Sequence, residues 1–335
     1  AVAPETPVMF NKVGESITMD EFVAQFTLEE LMDFVGGQPP TGVANTGCFG
    51  PMKRLGVPAM PTADGPAGLR LDTETGIPTT AWPCATLLAC SWDPELNFLV
   101  GAGGGAEIRE NNLAIWLAPA LNIHRDPLCG RNFEYYSEDP YLAGKCAAAN
   151  IRGVQSQEVA VSMKHFACNN KEANRMGSDS RLSERALREV YLKGFEIAVK
   201  EGNPKSIMSS YNPVNGTYAN ENAFLLKQIL RREWGFDGFV ISDWSACNDP
   251  AAGIANGSAL NMPAPGLGNA AYVVRQVREG KLSEKDLDDR LAEMLPVILE
   301  TTQAYKTKPE YDKDTHHALA QKCAERSIVL LENDG

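Results

Sequence analysis

The chain has 335 residues, of which 44% are hydrophobic and 22% charged, and its formal net charge is −12. This is an ordinary globular composition, and an acidic balance without a basic stripe argues against a nucleic-acid partner. No stretch approaches the about 18 consecutive apolar residues of a membrane span, so we expect no membrane partner. No signal peptide is visible, which leaves the compartment unknown with a lean towards the cytoplasm.

Residues 1–37 are predicted to form a helical lead-in. Thr18 and Thr27 each precede an acidic turn and an apolar stripe, a pattern typical of a capped helix start. The pair Gly36-Gly37 ends the second helix. A loop rich in Gly, Pro, Asn and Thr is predicted over residues 38–49.

Short apolar runs then alternate with amphipathic helices. Helix starts are indicated by Asp93 before Pro94, and by Ser183 and Ser283 before glutamates, while another helix is predicted over 225–234. The strand candidates are 57–60, 115–118, 159–163, 206–208, 239–241 and 259–262. Such repetition of strand and helix predicts a parallel sheet covered by helices.

A doubly wound sheet and a closed barrel both fit this alternation. Polar side chains follow nearly every strand, and they are Asp64, Asn122 to Asp126, Lys164-His165, Tyr211-Asn212 and Asp243-Trp244. Reactive residues at the ends of many strands around one mouth are typical of a barrel. We therefore predict an α/β fold, a (β/α)8 TIM-like barrel over 38–302. Its first strand or two are expected to be degenerate, because eight clear strands cannot be counted.

Two further features receive structural interpretations. The glycine-rich run 101–105 follows a helical stretch and lacks the Gly-Lys-Ser/Thr ending of a phosphate loop, so we expect tight helix packing.

The eight cysteines contain no Cys-x-x-Cys pair. Cys84, Cys90 and Cys247 are expected to be reduced and buried, with a disulfide as the alternative. No spacing suits a metal site, so neither metal nor cofactor is expected.

The run 239–241 continues into Ser242-Asp243-Trp244, which brings a carboxylate and an indole to one strand end. A carboxylate beside an aromatic plane suits attack on the reacting carbon of a sugar, because the apolar face of a sugar stacks on such a ring. The structural alternative is an Asp that caps the next helix beside a core Trp.

Four other side chains suit the binding of sugar hydroxyls, and each has a structural alternative. Lys164 and His165 can donate to hydroxyls, or they are a solvated lysine and a core histidine. Arg131 can grip two vicinal hydroxyls, or it pairs with nearby glutamates and ties down a loop. Asp64 can accept two hydroxyl hydrogens, and Asp64-Gly65-Pro66 is also a typical turn.

Five short motifs occur in order along the chain. They are Asp64-Gly65-Pro66, Gly130-Arg131-Asn132-Phe133-Glu134, Lys164-His165-Phe166, Met208-Ser209-Ser210-Tyr211-Asn212 and Val240-Ile241-Ser242-Asp243-Trp244. Together they resemble glycoside hydrolase family 3, the β-glucosidase group, from about Glu29 to Asp334. The resemblance implies a retaining exo-acting hydrolase that releases terminal β-D-glucose from β-glucosides and cello-oligosaccharides through a covalent glycosyl-enzyme.

The resemblance also implies individual roles. Asp243 matches the nucleophile, and the matching substrate-binding positions are Asp64, Arg131, Lys164, His165, Met208, Tyr211 and Trp244. Two departures are visible, Lys171 where many relatives carry Gln, and the segment 260–266. Both departures lie in loops and are expected to alter the preference for the leaving group.

A retaining mechanism also needs a general acid/base. In this family it usually comes from a second α/β sandwich domain, and residues 303–335 resemble the linker, first helix and first strand of such a domain, cut off after its opening. We therefore expect the acid/base on a domain or chain outside these residues. Two alternatives remain open: a β-xylosidase or dual glucosidase/xylosidase acting on xylo-oligosaccharides, and a non-catalytic sugar-binding subunit.

Overall fold

The computed structural model describes residues 6–263, 267–304 and 311–335. Its strands are β1 Gly47–Phe49, β2 Met60–Ala63, β3 Ile115–Trp116, β4 Ala160–Phe166, β5 Ser206–Ser209, β6 Pro213–Val214, β7 Thr217–Tyr218 and β8 Phe239–Ser242. One sheet has the order β1-β2-β3-β4-β5-β8, and β6 and β7 form a separate hairpin. The strands from β2 to β8 in the large sheet are parallel, whereas β1 runs antiparallel to β2.

Two short segments close this sheet into a ring. The closing bridges are Ile241–Leu260 and Gly36–Asn261, both parallel, and Gln38–Cys48, which is antiparallel. The ring therefore contains the six strands, a segment around residue 260 and a segment at 36–38, and all of them except β1 point the same way. This confirms the predicted (β/α)8-like barrel. Its first two positions are indeed irregular. The segment at 36–38 is held by isolated bridges alone, and β1 runs antiparallel to β2.

The strand boundaries were predicted less well at the start of the ring. Val57 bonds back to Met52 in a tight turn, so β2 begins only at Met60. The reversed strand β1 lies inside the segment 38–49 that was predicted to be a loop, and that prediction is wrong for residues 47–49. Three residues next to glycines are too few to show the alternation that identifies a strand.

Helices cover the outside of the ring. They are α1 Met19–Val23, α2 Leu28–Phe34, α3 Ala85–Cys90, α4 Pro94–Glu110, α5 Pro140–Gln155, α6 Glu184–Ala186, α7 Lys193–Ile197, α8 Pro250–Asn256, α9 Leu267–Arg278, α10 Glu284–Ala304 and α11 Lys313–Ser327. Wider i→i+5 turns extend over Leu187–Tyr191, Ala198–Gly202 and Phe224–Glu233. In the described part of the chain, none of these helices combines the length and apolarity needed to cross a membrane.

Alternation along the strands separates the barrel interior from the helical layer. In β8, Phe239 and Ile241 belong to one buried cluster and Val240 to another. Phe239 packs against Phe49 across the interior, with ring centroids 5.6 Å apart. Because side chains alternate with period two, the interior row of β8 continues into Asp243. The fold thus delivers this carboxylate to the mouth of the barrel.

The glycine-rich run lies within α4 and permits close helix packing, as predicted. A Cβ on Gly104 would collide with the Trp116 indole, and one on Gly101 would collide with the carbonyl of Asn150 in α5. Only glycine leaves room for these neighbours. The run is therefore a packing feature.

The cysteine prediction is partly wrong. All eight thiols are free, as expected, but Cys90 is exposed and Cys84 and Cys247 are only partly buried. Cys90 lies in the last turn of the short helix α3, where the outward face meets solvent.

Helix α11 packs on the barrel. A small buried cluster joins it to α3 and α4, with the members Trp82, Leu88, Leu96, Val100, Ala320 and Cys323. His316 Nδ1 also lies 2.9 Å from Oε1 of the fully buried Glu107. The apolar residues 328–331 that follow α11 are exposed.

Candidate active site

Carboxyl ends of parallel strands carry the polar side chains of the mouth. Lys164 occupies the interior row of β4, Asp64 directly follows β2, and Asp243 directly follows β8. The Lys164 ammonium is buried and donates to Asp64 Oδ1 at 2.5 Å. Burial alone would raise the pKa of Asp64, but the ammonium outweighs it and the pKa lies below its ordinary value. The pair is therefore ionised and fixed.

His165 also faces the mouth although it neighbours Lys164 in sequence. The pairing of β4 with β5 shifts register between Met163 and Phe166, and such irregularities re-aim side chains. As a result His165 Nε2 lies 3.7 Å from Asp243 Oδ2.

Two buried residues hold His165 in place. The Asn122 side chain donates to the His165 carbonyl at 2.9 Å and accepts the His165 amide at 2.8 Å. The Tyr135 hydroxyl lies 3.2 Å from His165 Nδ1. Burial, together with the charges of Arg131 and Lys164, lowers the pKa of His165 well below its ordinary value, so the ring is neutral. A neutral ring beside Asp243 can donate a hydrogen bond without forming an ion pair.

The Asp243 carboxylate has two different oxygens. Oδ1 accepts the Trp244 amide at 2.7 Å, while the buried Oδ2 accepts no well-formed hydrogen bond from the described residues. Burial raises the pKa of Asp243, and the Trp244 amide, Lys164, Arg131 and the Tyr211 hydroxyl partly offset this rise. The helix-cap alternative is wrong, because Asp249 caps the following helix α8.

Trp244, Tyr211 and Met208 are the other predicted residues at this end of the barrel. The partly buried Trp244 is anchored by its indole N–H, which donates to the Thr46 carbonyl at 3.2 Å. Tyr211 lies beneath the guanidinium of Arg175, which is 4.4 Å from the ring centroid. Met208 is buried at the last interior position of β5 and pairs with Ile241, two residues before Asp243. The structure therefore brings all three predicted residues to the neighbourhood of Asp243.

Arg131 is held by the Glu134 carboxylate, which forms an ion pair with its Nε. This contact is the one that the structural alternative predicted. It does not remove Arg131 from the mouth, because the guanidinium charge still acts on both Asp243 and His165. The ion pair therefore holds the guanidinium within electrostatic range of Asp243 and His165.

Sequence reasoning did not single out Asn122, Tyr135 and Arg175 as site residues. Asn122 and Tyr135 occur in segments that were noted, the stretch that follows β3 and the one that follows the Arg131 motif, but no sequence signal connects them with His165. Arg175 pairs with Glu172 at 2.7 Å in a loop without regular structure, and its position over Tyr211 is a purely tertiary contact. His124 instead lies 2.8 and 2.9 Å from the carbonyls of its own loop.

The described residues contain no group of three or more His, Cys, Asp or Glu side chains that could hold a metal ion. The mouth instead combines one carboxylate with a free oxygen, a neutral imidazole, cationic groups and an indole. Such an arrangement can bind a hydroxylated, uncharged molecule and direct a carboxylate oxygen at it.

Comparison with known proteins agrees with this arrangement. The family model described as Glycosyl hydrolase family 3 N terminal domain matches residues 50–297. Beta-glucosidase A of Butyrivibrio fibrisolvens is 50% identical over 86% of this chain, and an exo-alpha-(1->6)-L-arabinopyranosidase of Bifidobacterium longum is 42% identical over 93%. The structure of beta-glucosidase 3B from Thermotoga neapolitana in complex with alpha-D-glucose has a TM-score of 0.89 at 43% identity over 94% of this chain.

The chain covers only part of each of these proteins. It spans 34% of the Butyrivibrio protein, 42% of the Bifidobacterium protein and 47% of the Thermotoga chain. The similarity therefore concerns one part of larger relatives.

Proposed function

The chain belongs to glycosyl hydrolase family 3, and we propose that it is the barrel domain of a retaining exo-β-glucosidase. In this proposal Asp243 is the nucleophile that forms a covalent glycosyl-enzyme with the terminal β-D-glucose of β-glucosides and cello-oligosaccharides. The observation that carries the proposal is Asp243 Oδ2, a buried carboxylate oxygen at the mouth to which no residue in the described part of the chain donates a well-formed hydrogen bond.

The surroundings of Asp243 suit attack on an anomeric carbon. Oδ1 is fixed by the Trp244 amide, so the carboxylate has one orientation and its other oxygen is the attacking atom. Burial removes water from the carboxylate and raises its pKa, and the charges of Lys164 and Arg131 and the Tyr211 hydroxyl oppose that rise. Charge that develops on the sugar in an oxocarbenium-like transition state is then stabilised by a preorganised anion.

The remaining mouth residues suit the hydroxyls of the sugar. Asp64 and Lys164 form a fixed pair that offers an acceptor and donors side by side, and neutral His165 offers a further N–H. Arg131 adds a guanidinium held by Glu134. Hydrogen bonds from such fixed groups can tighten as charge develops, which is how binding is converted into rate.

We place the general acid/base in a further domain. The nearby glutamates, Glu134 and Glu172, are engaged by Arg131 and Arg175, which suits orientation and not proton donation. The relatives are two to three times as long as this chain, which leaves room for a domain that contributes the acid/base. A second chain that supplies such a domain would serve equally.

A second candidate is a pentopyranosidase, which includes the β-xylosidase and dual activities. It is favoured by the 42% identical relative named as an arabinopyranosidase, because a pentopyranoside lacks the hydroxymethyl group of glucose. Turnover of nitrophenyl β-glucoside, β-xyloside and α-L-arabinopyranoside by the enzyme containing this barrel separates the candidates.

Trapping with 2,4-dinitrophenyl 2-deoxy-2-fluoro-β-D-glucoside tests the nucleophile. Dinitrophenolate departs without protonation, so the 335-residue chain needs no acid catalyst to become labelled. We expect one label per chain, located on Asp243 by peptide mass, and no label on Asp243→Asn.

The control is Asp237→Asn, at the opposite end of the same strand, where the side chain is exposed. It should be labelled like the unchanged chain. A chain that binds glucose, as monitored by tryptophan fluorescence, but is never labelled would be a sugar-binding subunit and would contradict the nucleophile.

A further inference from the structure

The hydroxyl of the fully buried Tyr135 lies between two neighbours that can accept its proton. It is 3.2 Å from His165 Nδ1 and 3.4 Å from the Asn169 carbonyl oxygen. Burial is the main reason that the pKa of Tyr135 lies well above its ordinary value, so the hydroxyl keeps its proton. This single proton serves one neighbour or the other, and the choice determines which nitrogen of the neutral His165 ring is protonated.

The main chain of Tyr135 is fixed on both sides of its Cα. The Tyr135 carbonyl accepts a hydrogen bond from the Thr86 hydroxyl at 3.0 Å and lies 2.9 Å from His124 Nε2. The Tyr135 amide donates to the Asn132 carbonyl at 3.1 Å. The rings of Tyr135 and His165 meet edge to face at 78°, with centroids 6.1 Å apart. The hydroxyl is therefore held beside Nδ1 by contacts that do not involve the mouth.

In one arrangement His165 Nδ1 carries the ring proton. Nδ1–H then donates to the tyrosine oxygen, the hydroxyl donates to the Asn169 carbonyl, and the lone pair of His165 Nε2 faces Asp243 Oδ2 at 3.7 Å. This lone pair and the carboxylate repel each other, and burial of both side chains strengthens the repulsion. Little is gained in return, because 3.4 Å exceeds the about 2.5–3.0 Å of an O–H···O hydrogen bond.

In the other arrangement Nε2 carries the proton. The Tyr135 hydroxyl then donates to Nδ1, which is the nearer of its two neighbours, and the Nε2–H faces Asp243. The charge of the carboxylate attracts this N–H, and a sugar hydroxyl in the mouth meets a hydrogen-bond donor. The shorter contact and the position of the carboxylate thus favour the same tautomer.

We propose that Tyr135 is a positioning residue that fixes the Nε2–H tautomer of His165, so that this histidine acts in the mouth as a hydrogen-bond donor. The hydrogen bond at one ring nitrogen sets the protonation of the other. The role of this donor in catalysis rests on the proposed function, because the donor serves a sugar bound beside Asp243. Tyr135 is buried and acts through His165.

Nitrogen NMR of the 335-residue chain with isotope-labelled histidine reads the tautomer directly. The chain contains four histidines, and the signals of His165 are those missing from His165→Gln. If that variant does not fold, replacing each of the other three assigns His165 by elimination. We expect the unchanged chain to carry the proton on Nε2, with Nδ1 unprotonated.

Tyr135→Phe removes the hydroxyl and keeps the ring. The ratio of the two tautomers should then move towards Nδ1–H by about 2- to 10-fold, which is the weight of one neutral hydrogen bond. Labelling of Asp243 by the fluoroglucoside should slow as the fraction of Nε2–H falls. A residue that only supported the fold would leave the tautomer ratio unchanged.

The matched control is Tyr136→Phe, which removes a hydroxyl from the neighbouring tyrosine. Tyr136 is also buried, and its ring belongs to the core cluster that includes residues of α5 and β4. This variant should keep both the tautomer and the labelling rate.

A proton on Nδ1 in the unchanged chain would overturn the inference, and so would an equal tautomer ratio in Tyr135→Phe. Either result leaves Asp243 as the nucleophile. An unchanged chain that is never labelled at Asp243 would overturn the proposed function instead, and the NMR signals of the same sample still report the tautomer, so the two failures are distinguishable.

Discussion

Replacing Lys164 by methionine is expected to destabilise the fold by leaving Asp64 without its partner. The Lys164 side chain is 3% exposed, that of Asp64 is 30% exposed, and the N–O distance is 2.5 Å. Removing one member of a fully buried pair costs about 3 to 5 kcal/mol, whereas exposed pairs contribute about 0 to 1 kcal/mol. Since only one partner is fully buried here, we expect Lys164→Met to lower the free energy of unfolding by about 2 kcal/mol.

The pH dependence of this loss follows from the pKa of Asp64. Lys164 lowers that pKa below its ordinary value of 3.8 despite burial. A carboxyl group with a depressed pKa contributes stability above its unfolded pKa, and the contribution is lost as the pH falls through the folded pKa. The difference between the variant and the unchanged chain should therefore be fully present at neutral pH and shrink below about pH 4.

Urea unfolding of the unchanged chain, Lys164→Met, Asp64→Asn and the double variant measures the coupling directly. We expect a coupling free energy of about 1 to 2 kcal/mol, because the double variant no longer leaves a carboxylate unpaired. The control pair is Lys285 with Asp289, which has the same N–O distance of 2.5 Å but lies 77% and 45% exposed. Lys285→Met should hardly change the stability. A coupling indistinguishable from zero, or a loss that persists unchanged at acid pH, would refute the reasoning.

Two further predictions concern the nucleophile and the glycine-rich helix. Burial raises the pKa of Asp243, and the Tyr211 hydroxyl opposes this rise. In Tyr211→Phe, the pH below which labelling by the fluoroglucoside slows should therefore be higher. If that pH does not change, this contact is not used. A Cβ on Gly104 would collide with Trp116, so Gly104→Ala should lower the free energy of unfolding by about 1 to 2 kcal/mol, since overpacking exceeds the gain in helix propensity. Gly130→Ala, with no atom within 4 Å, should be nearly neutral in the same urea titration.

Much of the mouth could be predicted because it continues regular strands. Lys164 and Asp243 directly follow short apolar runs, and polar side chains at the carboxyl ends of buried parallel strands are expected at the mouth of a barrel. Their convergence then follows from the parallel arrangement of the strands. Asp64 was predicted in the same way, although its strand begins three residues later than expected.

The parts that could not be predicted depend on tertiary contacts. His165 reaches Asp243 because the register of β4 shifts, and a register shift leaves no mark in the hydrophobic pattern. The support that Asn122 and Tyr135 give to His165 connects residues 43 and 30 positions apart. The reversed strand β1 was missed because its pairing with β2, and not its own three residues, makes it a strand.

The interior of the barrel also explains why the site is rigid. Below the mouth, Ser162 and Ser206 hydrogen-bond to each other at 3.1 Å, and Phe239, which pairs with Ser206 in the sheet, packs against Phe49. The interior row of β4 thus passes from this polar contact to Lys164, and that of β8 passes from the aromatic packing through Ile241 to Asp243. Side chains that end such rows cannot shift without disturbing the packed layers beneath them. Substitutions in those layers should therefore displace the side chains of the mouth before they unfold the barrel. Such displacements matter because a catalytic geometry tolerates shifts of only about 0.5 Å.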